Sequence, residues 1–92
     1  MGNSKCASYS EVFASVDPEK EARLTTVLFI WATGFMSGVN LLSEEAEIRD
    51  LSDSRVSPEA LKAAVLVKCH ETPESNLAMV IASIYGELPK DR

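Results

Sequence analysis

Cys6 and Cys69 are the two residues of this chain with the widest chemical repertoire, since a thiol can ligate a metal, attack a carbonyl or close a disulfide. Two cysteines far apart in sequence, with the lone His70, match no zinc spacing. A thiol nucleophile needs a base, and the one histidine directly follows Cys69, where neighbouring side chains on a helix diverge by about 100°. The carboxylates Glu44, Glu45, Glu47, Asp50 and Asp53 cluster in one stretch, but the glycine turn and terminal glutamate spacing of an EF-hand are missing, which makes the stretch a solvated loop. The expectation is therefore no enzyme, with no catalytic, cofactor or metal site. His70 reads as a surface residue near a helix end, where its charge suits the dipole.

The position of the cysteines is more telling than their reactivity. Cys6 opens the first amphipathic stretch and Cys69 closes the third, a spacing that reads as one covalent staple on a small helical domain. Two unpaired buried thiols of a reducing compartment are the alternative. A crosslink there would enclose most of the chain and be worth about 4 kcal/mol by loop entropy, a large fraction of the stability of a small domain. It would also place the protein in an oxidising compartment.

With 92 residues, 46% of them hydrophobic, the chain has room for one globular domain, 1–92, with a thin core. Nine Lys and Arg face 14 Asp and Glu, a net charge of −5 that argues against nucleic acid or an anionic membrane as partner. Protonating the 14 carboxylates near pH 4 leaves the nine cations and His70, so the side-chain total swings to +10. Self-repulsion of that size can open an interface. Residues 1–5 read as an added or flexible N-terminus. Met1-Gly2-Asn3-Ser4-Lys5 has no apolar run of a secretory signal, which fits a mature protein with its export signal removed and a start methionine added. Met1-Gly2 with Cys6 also approaches a myristoylation and palmitoylation signal, with Cys where that motif wants Ser or Thr.

Three segments share one helix-start chemistry: Asp17-Pro18-Glu19, Ser57-Pro58-Glu59 and Thr72-Pro73-Glu74. Each offers a capping oxygen, a proline with preset φ, and a glutamate for the positive end of the dipole. Before the first, Tyr9, Val12, Phe13 and Val16 form a helical stripe starting near Ser8, with Cys6 just outside it. The helix from Pro58 carries Leu61, Val65, Leu66 and Cys69, and the last, from Pro73, carries Leu77, Val80, Ile81, Ile84 and Leu88, fraying at Pro89. Residues 43–56 lack a sustained period and read as a long surface connection with a helical turn at Glu44 to Ile48.

The second helix is unusual, because Leu24 to Ser43 contains no charge. Leu24, Val27, Leu28, Trp31, Phe35, Val39 and Leu42 form one stripe, and Phe29, Ile30, Ala32 and Met36 cover much of the rest, which predicts burial on nearly all sides. Its length and Gly34-x-x-x-Gly38 also satisfy the rule for a membrane span. Against a span stand Thr25, Thr26, Thr33, Ser37, Asn40 and three companion helices needing apolar cover. Glycine within a helix costs roughly 0.5 to 1 kcal/mol relative to alanine, so Gly34 and Gly38 predict a close approach by a backbone or ring, within the monomer or across a dimer. Phe29, Ile30, Trp31, Gly34, Phe35, Met36 and Gly38 form the candidate protein-binding or dimer surface.

The early Cys6, the segment Ala32-Thr33-Gly34-Phe35-Met36-Ser37-Gly38-Val39-Asn40, Ser57-Pro58 opening a helix that ends in Cys69, and a last helix together resemble the HdeA/HdeB family of periplasmic acid-stress chaperones. The resemblance implies an all-α four-helix bundle with one disulfide between Cys6 and Cys69 and a long central apolar helix. It further implies a periplasmic homodimer at neutral pH whose apolar surface, including the Phe35 region, binds unfolding proteins in acid. The central helix is longer and more apolar than that family's, and the tail lacks its lysine-rich character. Small exported immunity proteins with one disulfide, which neutralise cell-wall amidases of type VI secretion, look similar too, and there the acidic 44–53 loop would be the binding surface.

Overall fold

Why the longest helix begins at Pro18 is visible in its cap: the Asp17 carboxylate accepts from the Lys20 amide at 2.9 Å, and proline needs no partner in the first turn. The computed structural model describes residues 5–44 and 47–90, and they form α1 (Cys6–Ser15), α2 (Pro18–Leu42), α3 (Pro58–Glu71) and α4 (Leu77–Glu87). The chain is all-α, as the helical periodicities predict, and α3 is capped by the Ser57 hydroxyl, which accepts from Ala60.

The third proline does not open a helix. Thr72-Pro73-Glu74 forms a turn, and α4 starts at Leu77 under the side chain of Asn76, which accepts from Met79. The Thr72 hydroxyl is already committed, donating to the Lys68 carbonyl at the end of α3. The turn's own carbonyls serve α1. The Cys6 amide donates to Ser75 O at 2.8 Å and the Ala7 amide to Pro73 O at 3.2 Å, which satisfies amides that the uncapped start at Lys5 leaves open. These bonds carry α1 back to Cys6, two residues before the expected start near Ser8, so Cys6 lies inside the helix.

Cys6 and Cys69 form a disulfide across 63 residues of sequence, and both are buried. It joins the first turn of α1 to the last turns of α3. Helix α3 is the hub, since α1, α2 and α4 all pack on it through Leu61, Val65 and Cys69. From α1 come Tyr9 and Phe13, in edge contact at 4.9 Å between ring centres; Val12 is exposed and Val16 half-buried, so only half of the expected stripe enters the core. From α4 come Leu77, Val80, Ile81 and Ile84, followed by buried Leu88 at the C-cap.

Helix α2 contributes Thr25, Leu28, Ala32 and Met36, one face and no more. Its expected burial on nearly all sides is wrong for a geometric reason. Twenty-five residues make a rod of about 37 Å, while its partners of 14 and 11 residues reach about 21 and 17 Å and lie to one side. Three short helices in a domain this small cannot encircle the long one.

Candidate functional site

At 3.6 residues per turn, Arg23, Val27, Ile30, Gly34 and Leu41 fall on the side of α2 diametrically opposite its core residues. Val27 is 48% exposed, Ile30 64% and Leu41 87%, making this an apolar face that the described residues leave open. A Cβ built on Gly34 or Gly38 meets nothing within 4 Å, so the close crossing that the glycines predict does not occur inside the monomer. Polar groups on α2 are largely satisfied from within. The hydroxyl of Thr26 donates to Ala22 O at 3.1 Å, that of Thr33 to Phe29 O at 2.7 Å, and that of Ser43 to Val39 O at 2.7 Å. Covering the face therefore leaves those donors paired.

The expected surface residues separate into three groups. Ile30 and Gly34 lie on the open face and half-buried Gly38 at its edge. Phe29, Trp31 and Phe35 are half-buried and pack against the core, the last two with ring centres 5.7 Å apart. Met36 is fully buried and belongs to the core, which corrects its assignment to the surface. Conversely Val27 and Leu42, read as part of the core stripe, are exposed. Helix α2 is also long and apolar enough to cross a membrane, and 22% of its most apolar 18-residue window is buried in the chain.

The acidic connection is a second candidate. Its helical turn at Glu44 to Ile48 falls partly outside the described residues. The rest is anchored by Asn40, whose side-chain amide donates to Arg49 O at 3.1 Å and accepts from Arg49 N at 3.0 Å, occupying the place of a neighbouring strand. The Tyr85 hydroxyl donates to the same Asn40 oxygen. Arg49 and Arg55 then reach the end of α4, donating to Leu88 O at 2.8 Å and Glu87 O at 3.0 Å, where cations suit the helix dipole. Asp53 is held below the usual carboxylate range, first by its hydrogen bond from the Arg55 side chain. Half-buried Leu51 and Val56 complete the attachment to the core. Sequence periodicity could not reveal this clamp, because its bonds join Asn40 to backbone atoms of another segment.

No known family, curated protein or solved structure matches this chain. The residues themselves must therefore carry any functional reading. Among the described residues, no three His, Cys, Asp or Glu side chains gather where they could hold a metal. His70 is exposed and lines a shallow depression together with Ala7, Ser10, Leu66, Cys69 and Pro73. Burial pushes the Tyr9 hydroxyl up to about 12, and that hydroxyl has no hydrogen-bond partner. Ion pairs tie the helices from outside: Lys62 bridges Glu21 of α2 at 2.8 Å and Glu59 at 3.2 Å, and Lys68 meets Glu87 of α4 at 3.2 Å. The paired glutamates hold the Lys62 ammonium above its ordinary range, Glu21 being the larger cause.

Proposed function

We propose that this chain is a small periplasmic protein that acts by binding other proteins, without catalysis, and that acid turns on its capture of unfolding clients. The observation that carries the reading is the open outer face of α2, uncharged from Leu24 to Ser43 and lined by Val27, Ile30 and Leu41. A buried disulfide is compatible with an exported protein. The acid response is supported by the composition of the ties between elements. Lys5–Glu74, Lys62–Glu21, Lys68–Glu87 and Lys90–Glu47 each depend on a glutamate, so low pH removes all four as the net charge climbs toward +10. The disulfide limits how far the helices separate, so apolar surface is exposed on a chain that stays tethered.

The test is aggregation of an acid-sensitive client at about pH 2 to 3, with and without the protein. Suppression is expected, with a weaker effect from Ile30→Ser. Undiminished client aggregation while the protein itself remains in solution removes the proposal.

The anchored loop favours a second reading, an immunity protein that neutralises one cell-wall amidase. Asn40, Arg49 and Arg55 anchor the stretch from Arg49 to Arg55, with Asp50 and Asp53 on it, which lowers the entropy lost on binding a single cognate partner. This reading expects a tight complex at neutral pH that Asn40→Ala weakens, and no effect on unfolding clients.

A further inference from the structure

We propose that the Cys6–Cys69 disulfide decides whether α2 can cross a lipid bilayer: the dithiol chain places this helix in the membrane, and the crosslinked chain is barred from doing so by its topology. The proposal goes beyond client binding and does not depend on it. Among the described residues α2 is the one helix long and apolar enough for a span. Its uncharged run from Leu24 to Ser43 makes about 30 Å of helix, the thickness of the hydrocarbon core, with Arg23 immediately before it and Glu44 immediately after. Both features that stand against a span lose their force in the structure. Thr25, Thr26 and Thr33 donate their hydroxyls to Glu21 O at 2.9 Å, Ala22 O at 3.1 Å and Phe29 O at 2.7 Å, so they need no water inside a bilayer. Asn40 stands within a turn of the charged end, at headgroup depth. The companion helices α1 and α4 both pack on α3, so neither relies on α2 alone for cover.

Closing the disulfide turns residues 6–69 into a covalent ring that contains α2. A closed ring crosses a membrane an even number of times, so a spanning α2 requires a second crossing by another part of the ring. No other part is suited to it. Helices α1 and α3, with 10 and 14 residues, reach only about 15 and 21 Å, and α3 carries Glu59, Lys62 and Lys68. The connection between α2 and α3 holds Glu44, Glu45, Glu47, Arg49, Asp50, Asp53 and Arg55, each of them costly in hydrocarbon. Chain before Cys6 or after Cys69 lies outside the ring and cannot supply the return. Oxidation passes two electrons and two protons from the two thiols to a disulfide-bearing oxidant, which leaves as two thiols. Both sulfurs are then buried, which shields the bond from exchange with outside thiols. The crosslink is thus a one-way gate: before it forms α2 is free to enter a bilayer, and afterwards the helix is confined to the bundle.

The test dilutes the full chain from urea, so that dithiol and disulfide forms start equally unfolded, into phosphatidylcholine vesicles brominated at the middle of their acyl chains. Trp31, the single tryptophan, lies about 10 Å inside the uncharged run and reports depth by its quenching. The dithiol form is expected to float with the vesicles with Trp31 quenched, and the disulfide form to show at least about tenfold less deep quenching, because its ring would have to drag charges through the bilayer. The double variant Cys6→Ala, Cys69→Ala, which cannot close the ring, should follow the dithiol form. Gly34→Lys sets a charge at mid-span while a side chain there meets nothing in the bundle. It should leave the helical circular dichroism of the disulfide form unchanged and lower insertion of the dithiol form at least about tenfold. Equal deep quenching of the two forms overturns the proposal, as does a dithiol form that stays out of the vesicles or inserts regardless of Gly34→Lys.

Discussion

Removing the disulfide with Cys6→Ala and Cys69→Ala is expected to take away a large share of the stability of this fold. The crosslink joins residues 63 apart, and loop entropy assigns such a closure about 4 kcal/mol. A domain of 92 residues has a total stability of roughly 5 to 14 kcal/mol at the usual value per residue, so the double variant is left with roughly 1 to 10 kcal/mol. The loss falls first on α1. Apart from the disulfide, this helix is held by Tyr9 and Phe13 and by the two amide bonds to Ser75 O and Pro73 O, while α3 keeps its contacts with α2 and α4. Urea unfolding followed by circular dichroism is the assay, with alanine chosen so that no hydroxyl enters the fully buried site of Cys6. With a slope of about 1.5 kcal/mol/M, the midpoint should fall by roughly 2 to 3 M. Amide exchange should show α1 opening before α3 and α4. A midpoint shift below about 0.5 M, or equal protection of α1 and α3 in the variant, would refute the account of the crosslink as the main tether of α1.

Asn40→Ala is expected to cost about 1 to 3 kcal/mol, since it strands the Arg49 backbone groups and the Tyr85 hydroxyl, and to lower the melting temperature by about 5 °C or more. Tyr9 links stability to alkaline pH. Its pKa rises from 10.0 unfolded to about 12 folded, so its contribution is complete below pH 10 and declines as pH climbs toward 12, by about 2 to 3 kcal/mol; urea midpoints of Tyr9→Phe should fall less over that range than those of the parent chain, which also loses the Lys62 pairs there. Asp53 behaves oppositely, because Arg55 lowers its pKa. Its stabilisation is present above the unfolded value of 3.8 and disappears as pH falls through the lower folded one, so Asp53→Asn should lower the melting temperature at pH 7 and leave it unchanged at pH 2.

Helix positions were legible wherever a capping side chain stood beside a proline and nothing else competed for it, as at Asp17 and Ser57. Thr72 shows the limit of that rule: its hydroxyl bonds back to Lys68, and the residues after it hold α1 by their carbonyls, so the same motif closes one helix instead of opening the next. The core faces of α3 and α4 followed from spacing alone. The face of α2 did not, because a helix apolar all round carries no phase, and its buried side is chosen by the short partners that lie beside it. For the candidate surface, Ile30 and Gly34 were recognisable as an apolar surplus, while Met36 was not separable from them without knowing which way the helix is turned. The Asn40 clamp was hidden for a different reason, since its partners are main-chain atoms, which every residue type possesses.

Helix α3, on which the other three rest, is third in order of synthesis. Until Cys69 emerges, Cys6 has no partner and α1 and α2 have no α3 to lie against, so a nascent chain travels through most of its length with both sides of its longest helix bare. Productive folding of this protein is thus gated by its C-terminal third, and a truncation before residue 58 leaves an oily, unstapled rod in place of a partial domain.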